Sequence, residues 1–241
     1  MDTPVALGII ALAALMHASF QLSVSMVTLL SSHSIGNKFS GARTLRLAAS
    51  FFLGTIVMTT LVVTLLAYIA SVSYQGYVPN IVWSLVCGAM IGLGIAVWTF
   101  YYRKQAGTSL WIPRGMARFL SSRTKATTSL AESFSLGLTS VVAELLFILA
   151  PSAAAALSLT YLPHRWQLPG LALYVLIASF GVGIVVILVG SGHKISQIQR
   201  WREDNKRFLQ FIAGSGFLVL GAYIYANIVA MTPLLSEGFL R

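Results

Sequence analysis

Apolar residues run in six long blocks along the chain, and the charged residues are swept into the gaps between them. The blocks are about Val5–Leu30, Leu47–Ala70, Asn80–Tyr102, Phe134–Leu159, Gly170–Gly190 and Phe208–Met231. A helix rises 1.5 Å per residue, so about 20 apolar residues cover the roughly 30 Å hydrocarbon core of a bilayer. Each block meets that length. The pattern predicts an all-α membrane protein: one polytopic domain over residues 1–241 with six transmembrane helices. Every block contains Gly, Ser or Thr, as is usual where helices pack against helices in lipid. The third carries Gly88 and Gly92 at four-residue spacing, with Gly94 beyond.

Composition agrees. Hydrophobic residues make up 57% of the 241 positions and charged residues 9%, against about 25% charge in a soluble domain. Such a surface has too few groups to hydrate. The net charge of +10 would suit a nucleic-acid partner, but the charges sit in short segments between apolar blocks, so we read them as a topology signal and expect no nucleic acid. The gap after block one holds Lys38, Arg43 and Arg46. The gap after block three holds Arg103, Lys104, Arg114, Arg118, Arg123 and Lys125. The gap after block five holds Lys194, Arg200, Arg202, Lys206 and Arg207. Only Arg165 and Arg241 remain for the other side. This asymmetry predicts three cytoplasmic loops and both termini outside, in a multi-pass protein of the cell membrane. No Lys or Arg precedes Lys38, and the first block outruns a signal-peptide core, so it reads as a retained helix. The lone Cys87 lies in an apolar block and forms no internal disulfide.

Two cytoplasmic segments mix apolar with basic residues: Trp111–Arg123 and His193–Arg207. They are expected to lie as interfacial helices on anionic headgroups, with solvated basic loops as the alternative.

The halves of the chain resemble each other at a constant offset of 129. Ala49-Ser50-Phe51 with Gly54 and Val57 matches Ala178-Ser179-Phe180 with Gly183 and Val186. Gly8 falls on Gly137, Ala14 on Ala143 and Ser23 on Ser152. Leu93-Gly94 matches Leu220-Gly221 after a two-residue slip. Repeat one covers about 5–102, repeat two about 130–231, and a basic linker at about 103–129 joins them. Three helices per half force the second half to enter the membrane inverted, an architecture common among secondary transporters, with the site near the midplane at the repeat interface. Gly54 and Gly183 are expected to hold equivalent packing positions. A duplicated scaffold without transport is the alternative.

Two ionisable side chains besides Tyr and Cys fall deep in the blocks: His17 in the first and Glu144 in the fourth. A carboxylate at the bilayer centre costs on the order of 2.5–3.5 kcal/mol on insertion scales, so it should face the interior and have a partner. His17 is the obvious one. Gln21 lies one turn beyond it on the same face, with Ser19 and Ser23 nearby. Three uses compete: a proton-coupled or cation site, a metal site, and a structural hydrogen bond between His17 and a neutral Glu144. Two good ligands are too few to specify a metal, so the metal question stays open, and no cofactor is expected. Pro151 lacks the amide hydrogen that would otherwise reach the Phe147 carbonyl, and polar Ser152 follows. A helix broken there can bind an ion or polar solute; a packing kink is the other reading. The candidate substrate- or ion-binding residues are therefore His17, Gln21, Ser23, Glu144, Pro151 and Ser152. There is no Walker loop, H-E-x-x-H or G-x-S-x-G, and no enzyme activity is expected.

Three stretches carry a family resemblance: Ser135-Leu136-Gly137-Leu138 leading to Pro151, Ala178-Ser179-Phe180-Gly181-Val182-Gly183, and Gly214 followed by Leu220-Gly221-Ala222-Tyr223. With the 3+3 pattern and external termini, the chain resembles the lysine-exporter (LysE) superfamily, including its DsbD/CcdA-like cytochrome-c-biogenesis transmembrane branch. In the thiol-relay branch the first and fourth helices each carry a cysteine beside proline. Here Pro151 remains, both cysteines are missing and Cys87 lies in the third block, so a two-cysteine relay within the chain is ruled out. The resemblance implies a small exporter of cations, amino acids or lipids. The expected function is a secondary transporter or exporter of a small solute or cation. The alternative is a non-transporting membrane scaffold or assembly protein binding lipid or partner proteins. The expected partners are membrane lipids, anionic at the cytoplasmic face, and a small-molecule or ion substrate; a homo-oligomer is compatible with the sequence.

Overall fold

The computed structural model describes residues 1–31, 41–101, 120, 122–123, 127–191, 197, 201 and 204–230, with side chains of 22–31, 100, 101 and 206 excepted. Among these there are six long helices and no strand: α1 (Thr3–Ser31), α2 (Gly41–Tyr74), α3 (Asn80–Ala96), α4 (Leu130–Tyr161), α5 (His164–Gly190) and α6 (Lys206–Ile224). Each is long and apolar enough to cross a membrane. Large apolar side chains face outward along them: Leu65 is 59% exposed, Leu176 71% and Ile81 65%. An apolar exterior of this extent is excluded by water and accepted by lipid. The chain is a multi-pass membrane protein. The segments Trp111–Arg123 and His193–Arg207 lie largely outside the described residues.

Local chemistry sets the helix ends. Ser129 and Glu132 form a capping box at the start of α4: the Ser129 hydroxyl accepts from the Glu132 amide at 3.2 Å, and the Glu132 carboxylate accepts from the Ser129 amide at 3.2 Å. α2 ends where Gln75 (φ 46°) and Gly76 (φ 93°) turn left-handed, a conformation that glycine adopts without steric cost. Pro79 and Pro163 stand at the N-caps of α3 and α5, where they end the preceding turn. α1, α2 and α4 outrun their apolar blocks at both ends, α2 by several residues.

α1 packs on α4 and α5, α2 on α4 and α5, and α3 on α6, with lesser contacts of α1 with α6 and α3 with α4. Directions follow from paired contacts. A Cβ on Gly183 would meet Phe52 and one on Gly190 would meet Leu45, so α2 and α5 are antiparallel. A Cβ on Gly94 would meet the Gly214 carbonyl at 2.9 Å, and one on Gly221 the Cys87 carbonyl at 3.4 Å, so α3 and α6 are antiparallel too. Both of these helices finish in a π turn, Val97–Tyr101 and Tyr225–Val229.

The tightest crossing joins α2 and α4. A Cβ on Gly54 would collide with the Phe134 carbonyl, and one on Gly137 with the Phe51 carbonyl. Ser50 donates to the Leu130 carbonyl and Ser133 to the Leu47 carbonyl, each at 2.7 Å, bolting the same seam. Gly137→Ala is therefore expected to destabilise the protein by about 1–3 kcal/mol, since backbone cannot rotate away. Thermal unfolding in detergent reads this, with Gly88→Ala as the control because a Cβ there meets nothing within 4 Å. Gly183 does not hold the position expected from Gly54. It is half-buried against Phe52 rather than seated on a backbone crossing. The reason is rotational: Phe51 is buried, whereas its counterpart Phe180 is 67% exposed, so the shared A-S-F motif presents different faces in α2 and α5.

Cys87 is buried in the seam between α3 and α6. Cys87→Ala is expected to leave folding and function intact, read by monodisperse elution and unchanged activity, because the residue packs as a small apolar group.

Candidate functional site: a buried polar cluster across three helices

His17, at the centre of α1, is completely buried. Its Nδ1 lies 2.9 Å from the hydroxyl of Tyr174 on α5. That hydroxyl lies 3.0 Å from the hydroxyl of Ser152 on α4. The His17 and Tyr174 rings also meet edge to face, with centroids 5.7 Å apart. Three helices thus converge on one phenolic oxygen. Which atom donates in each link depends on the histidine tautomer and the hydroxyl rotors. Among the described residues, His17 Nε2 and both amide atoms of Gln21 meet no hydrogen-bond partner. Gln21 is buried one turn beyond His17, so the α1 face carries hydrogen-bonding capacity that the described residues leave unused.

Glu144 is completely buried and engaged with its neighbours, but it is not the partner of His17. The expected hydrogen bond between them is absent: Nδ1 faces Tyr174 and Nε2 has no partner among the described residues. The helix directions explain this. His17 and Ser152 share the level of Tyr174, and three residues along α1 the ring of Phe20 stacks on Phe147, centroids 4.9 Å apart. Moving forward on α1 moves backward on α4, so the two are antiparallel. Glu144 lies eight residues from Ser152, about 12 Å along the axis, beyond the Phe20–Phe147 stack. Equal depth within two separate helices does not make two residues neighbours.

The remaining sequence candidates divide accordingly. Ser152 joins His17. Pro151 is buried beside it, and α4 continues through it unbroken from Leu130 to Tyr161. The discontinuous helix is thus not what this structure contains; Pro151 acts as a packed residue within one helix. The Ser23 side chain lies outside the described residues. Tyr174 was missing from the sequence candidates, since a tyrosine inside an apolar block is ordinary and neither of its partners adjoins it in the chain. Among the described residues, no group of three His, Cys, Asp or Glu side chains could hold a metal ion.

Comparison with protein-family models, with curated proteins and with solved structures finds no match to this chain.

Proposed function

We propose that this chain is a secondary transporter or exporter of a small solute or cation in the cell membrane, built from two inverted three-helix repeats with both termini outside the cytoplasm. One observation carries the reading. The polar cluster of His17, Tyr174 and Ser152 joins helices of both halves at their cores, and among the described residues His17 Nε2 and the neighbouring Gln21 amide keep unused hydrogen-bonding capacity. Polar groups inside a membrane are costly and are concentrated on substrate and ion pathways. A scaffold needs only apolar and small-residue packing there.

The repeat reading has independent support. Exchanging α1 with α4, α2 with α5 and α3 with α6 leaves the main helix-packing pattern unchanged. Residues 94 and 214 meet as 221 and 87 do, an exchange with a constant offset of 127. The matching π turns end the third helix of each half. Equivalent helices run antiparallel, as inversion requires. The basic segments 103–129 and 193–207 then face the cytoplasm and meet anionic lipid.

Two measurements test this. Flux in reconstituted vesicles, screened over amino acids and over mono- and divalent cations, should find a transported solute whose movement Glu144→Gln stops; no flux for any member of the panel, with folded protein, favours the scaffold. For topology, cysteines introduced into 31–46, 103–129 and 193–207 should be protected from impermeant thiol reagent in intact cells, and cysteines in 71–79 should react. External labelling of 103–129 would sink the inverted arrangement.

A further inference from the structure

Two polar groupings of the bundle core stand on either side of an aromatic layer, with the buried Gln21 one residue beyond Phe20 on α1. On one side Tyr174 joins His17 and Ser152. On the other, Glu144 and Ser140 stand one turn apart on the same face of α4, both completely buried. Between the groupings the Phe20 ring stacks on Phe147, at an interplanar angle of 12°, and meets Phe217 of α6 at 5.2 Å between centroids. Phe20 is thus shared by the rings of two other helices, and all three are buried.

The position of this layer is informative. For helices related at an offset of 129, the self-matching point of the α1–α4 pair falls where the two residue numbers sum to the value seen in contact. The Phe20–Phe147 contact gives 167, which places that point at about residue 19 of α1 and 148 of α4. For α3 and α6, at an offset of 127, the Gly94–Gly214 contact gives 308, which places it at about residues 90 and 217. Met90 and Phe217 are both completely buried. The aromatic layer therefore lies where the two halves exchange, the level that a solute crossing from one half to the other must pass.

The geometry points to Phe20 as the gate of the transport pathway, dividing it into an outer half-site of His17, Tyr174 and Ser152 and an inner half-site around Glu144. This inference rests on the transport reading. Closed, the stacked rings exclude water and ions from the midplane, because three apolar rings offer no hydrogen-bonding group in place of hydration. Opening requires only that the Phe20 side chain leave its stack, since Phe147 and Phe217 belong to other helices. The gate also accounts for the separation of His17 from Glu144: two polar groupings on opposite sides of a barrier can be occupied in turn rather than together.

The test uses the full chain with Cys87→Ala, reconstituted in sealed vesicles of each orientation, and the impermeant quaternary cation methanethiosulfonate ethyltrimethylammonium. Ser152→Cys and Ser140→Cys place nearly isosteric thiols on α4 above and below Phe147. With Phe20 intact, the Ser152→Cys thiol should react only from the side of the termini, and the Ser140→Cys thiol only from the opposite side. Phe20→Ala should make both thiols reactive from both sides, raising the wrong-side rate at least about tenfold. Phe20→Leu, which keeps an apolar side chain but removes the ring stack, should do the same to a smaller degree and serves where the alanine variant fails to fold. Reaction of either thiol from both sides with Phe20 intact overturns the gate and leaves transport standing. One-sided reaction that persists in both Phe20 variants overturns the gate likewise. Silence of both thiols from both sides in every background overturns the pathway itself.

Discussion

Glu144→Gln should abolish the pH dependence of flux and reduce transport to the background of empty vesicles, while the protein still folds. Glutamine keeps the shape and most of the hydrogen-bonding capacity of a carboxylic acid but cannot ionise. A fully buried carboxyl near the middle of a membrane helix adds nothing to stability that an amide would not, and on insertion scales its charged form costs on the order of 2.5–3.5 kcal/mol there. On the transport reading its use is to change protonation. Because His17 is hydrogen-bonded to Tyr174 and not to Glu144, His17→Gln should leave a pH-dependent flux component in place. Flux and its pH profile would be measured in vesicles across an imposed pH gradient, with circular dichroism and thermal unfolding as fold controls. A Glu144→Gln protein that transports with the wild-type pH profile would remove the carboxyl from the mechanism.

The six helices were legible because the bilayer imposes one length and one polarity on every crossing, so Leu47–Ala70 or Gly170–Gly190 announce themselves. Their ends were less legible. The hydrocarbon core fixes the apolar block, whereas caps such as Ser129 with Glu132 fix the helix, and these lie several residues further out. The site was legible by kind but not by pairing. His17, Gln21, Glu144 and Ser152 could be chosen because polar groups are rare in such blocks, and all four are buried. Their grouping depends on how antiparallel helices slide against each other. A slide of eight residues moves a side chain about 12 Å, enough to put Ser152 rather than Glu144 at the level of His17. The repeat shows the same limit. The A-S-F motif recurs at constant spacing, yet Phe51 turns inward and Phe180 outward, because a sequence match fixes position along a helix and not rotation about it.

Tyr174→Phe should be the most damaging single-atom change in the bundle. The substitution leaves the ring, its packing and its edge contact with His17 in place, and removes only the hydroxyl that His17 Nδ1 and Ser152 Oγ share. Hydrogen bonds between membrane helices average about 0.6 kcal/mol and reach about 1.7, so losing two should cost about 1–3 kcal/mol in an unfolding titration. His17 bears more of the loss than Ser152, because a serine in a helix can turn back to bond a carbonyl one turn earlier and an imidazole cannot. The double variant Tyr174→Phe with Ser152→Ala should therefore be nearly as stable as Tyr174→Phe alone. Adding His17→Leu to Tyr174→Phe should recover part of the stability, by removing the stranded imidazole. A cycle in which the Tyr174 and His17 effects simply add would mean that the hydroxyl does not hold the ring. Flux separates a structural loss from a functional one: where the cluster forms the outer half-site, Tyr174→Phe with His17→Leu stays inactive although its stability returns, because repairing the packing does not restore the polar groups a solute must meet.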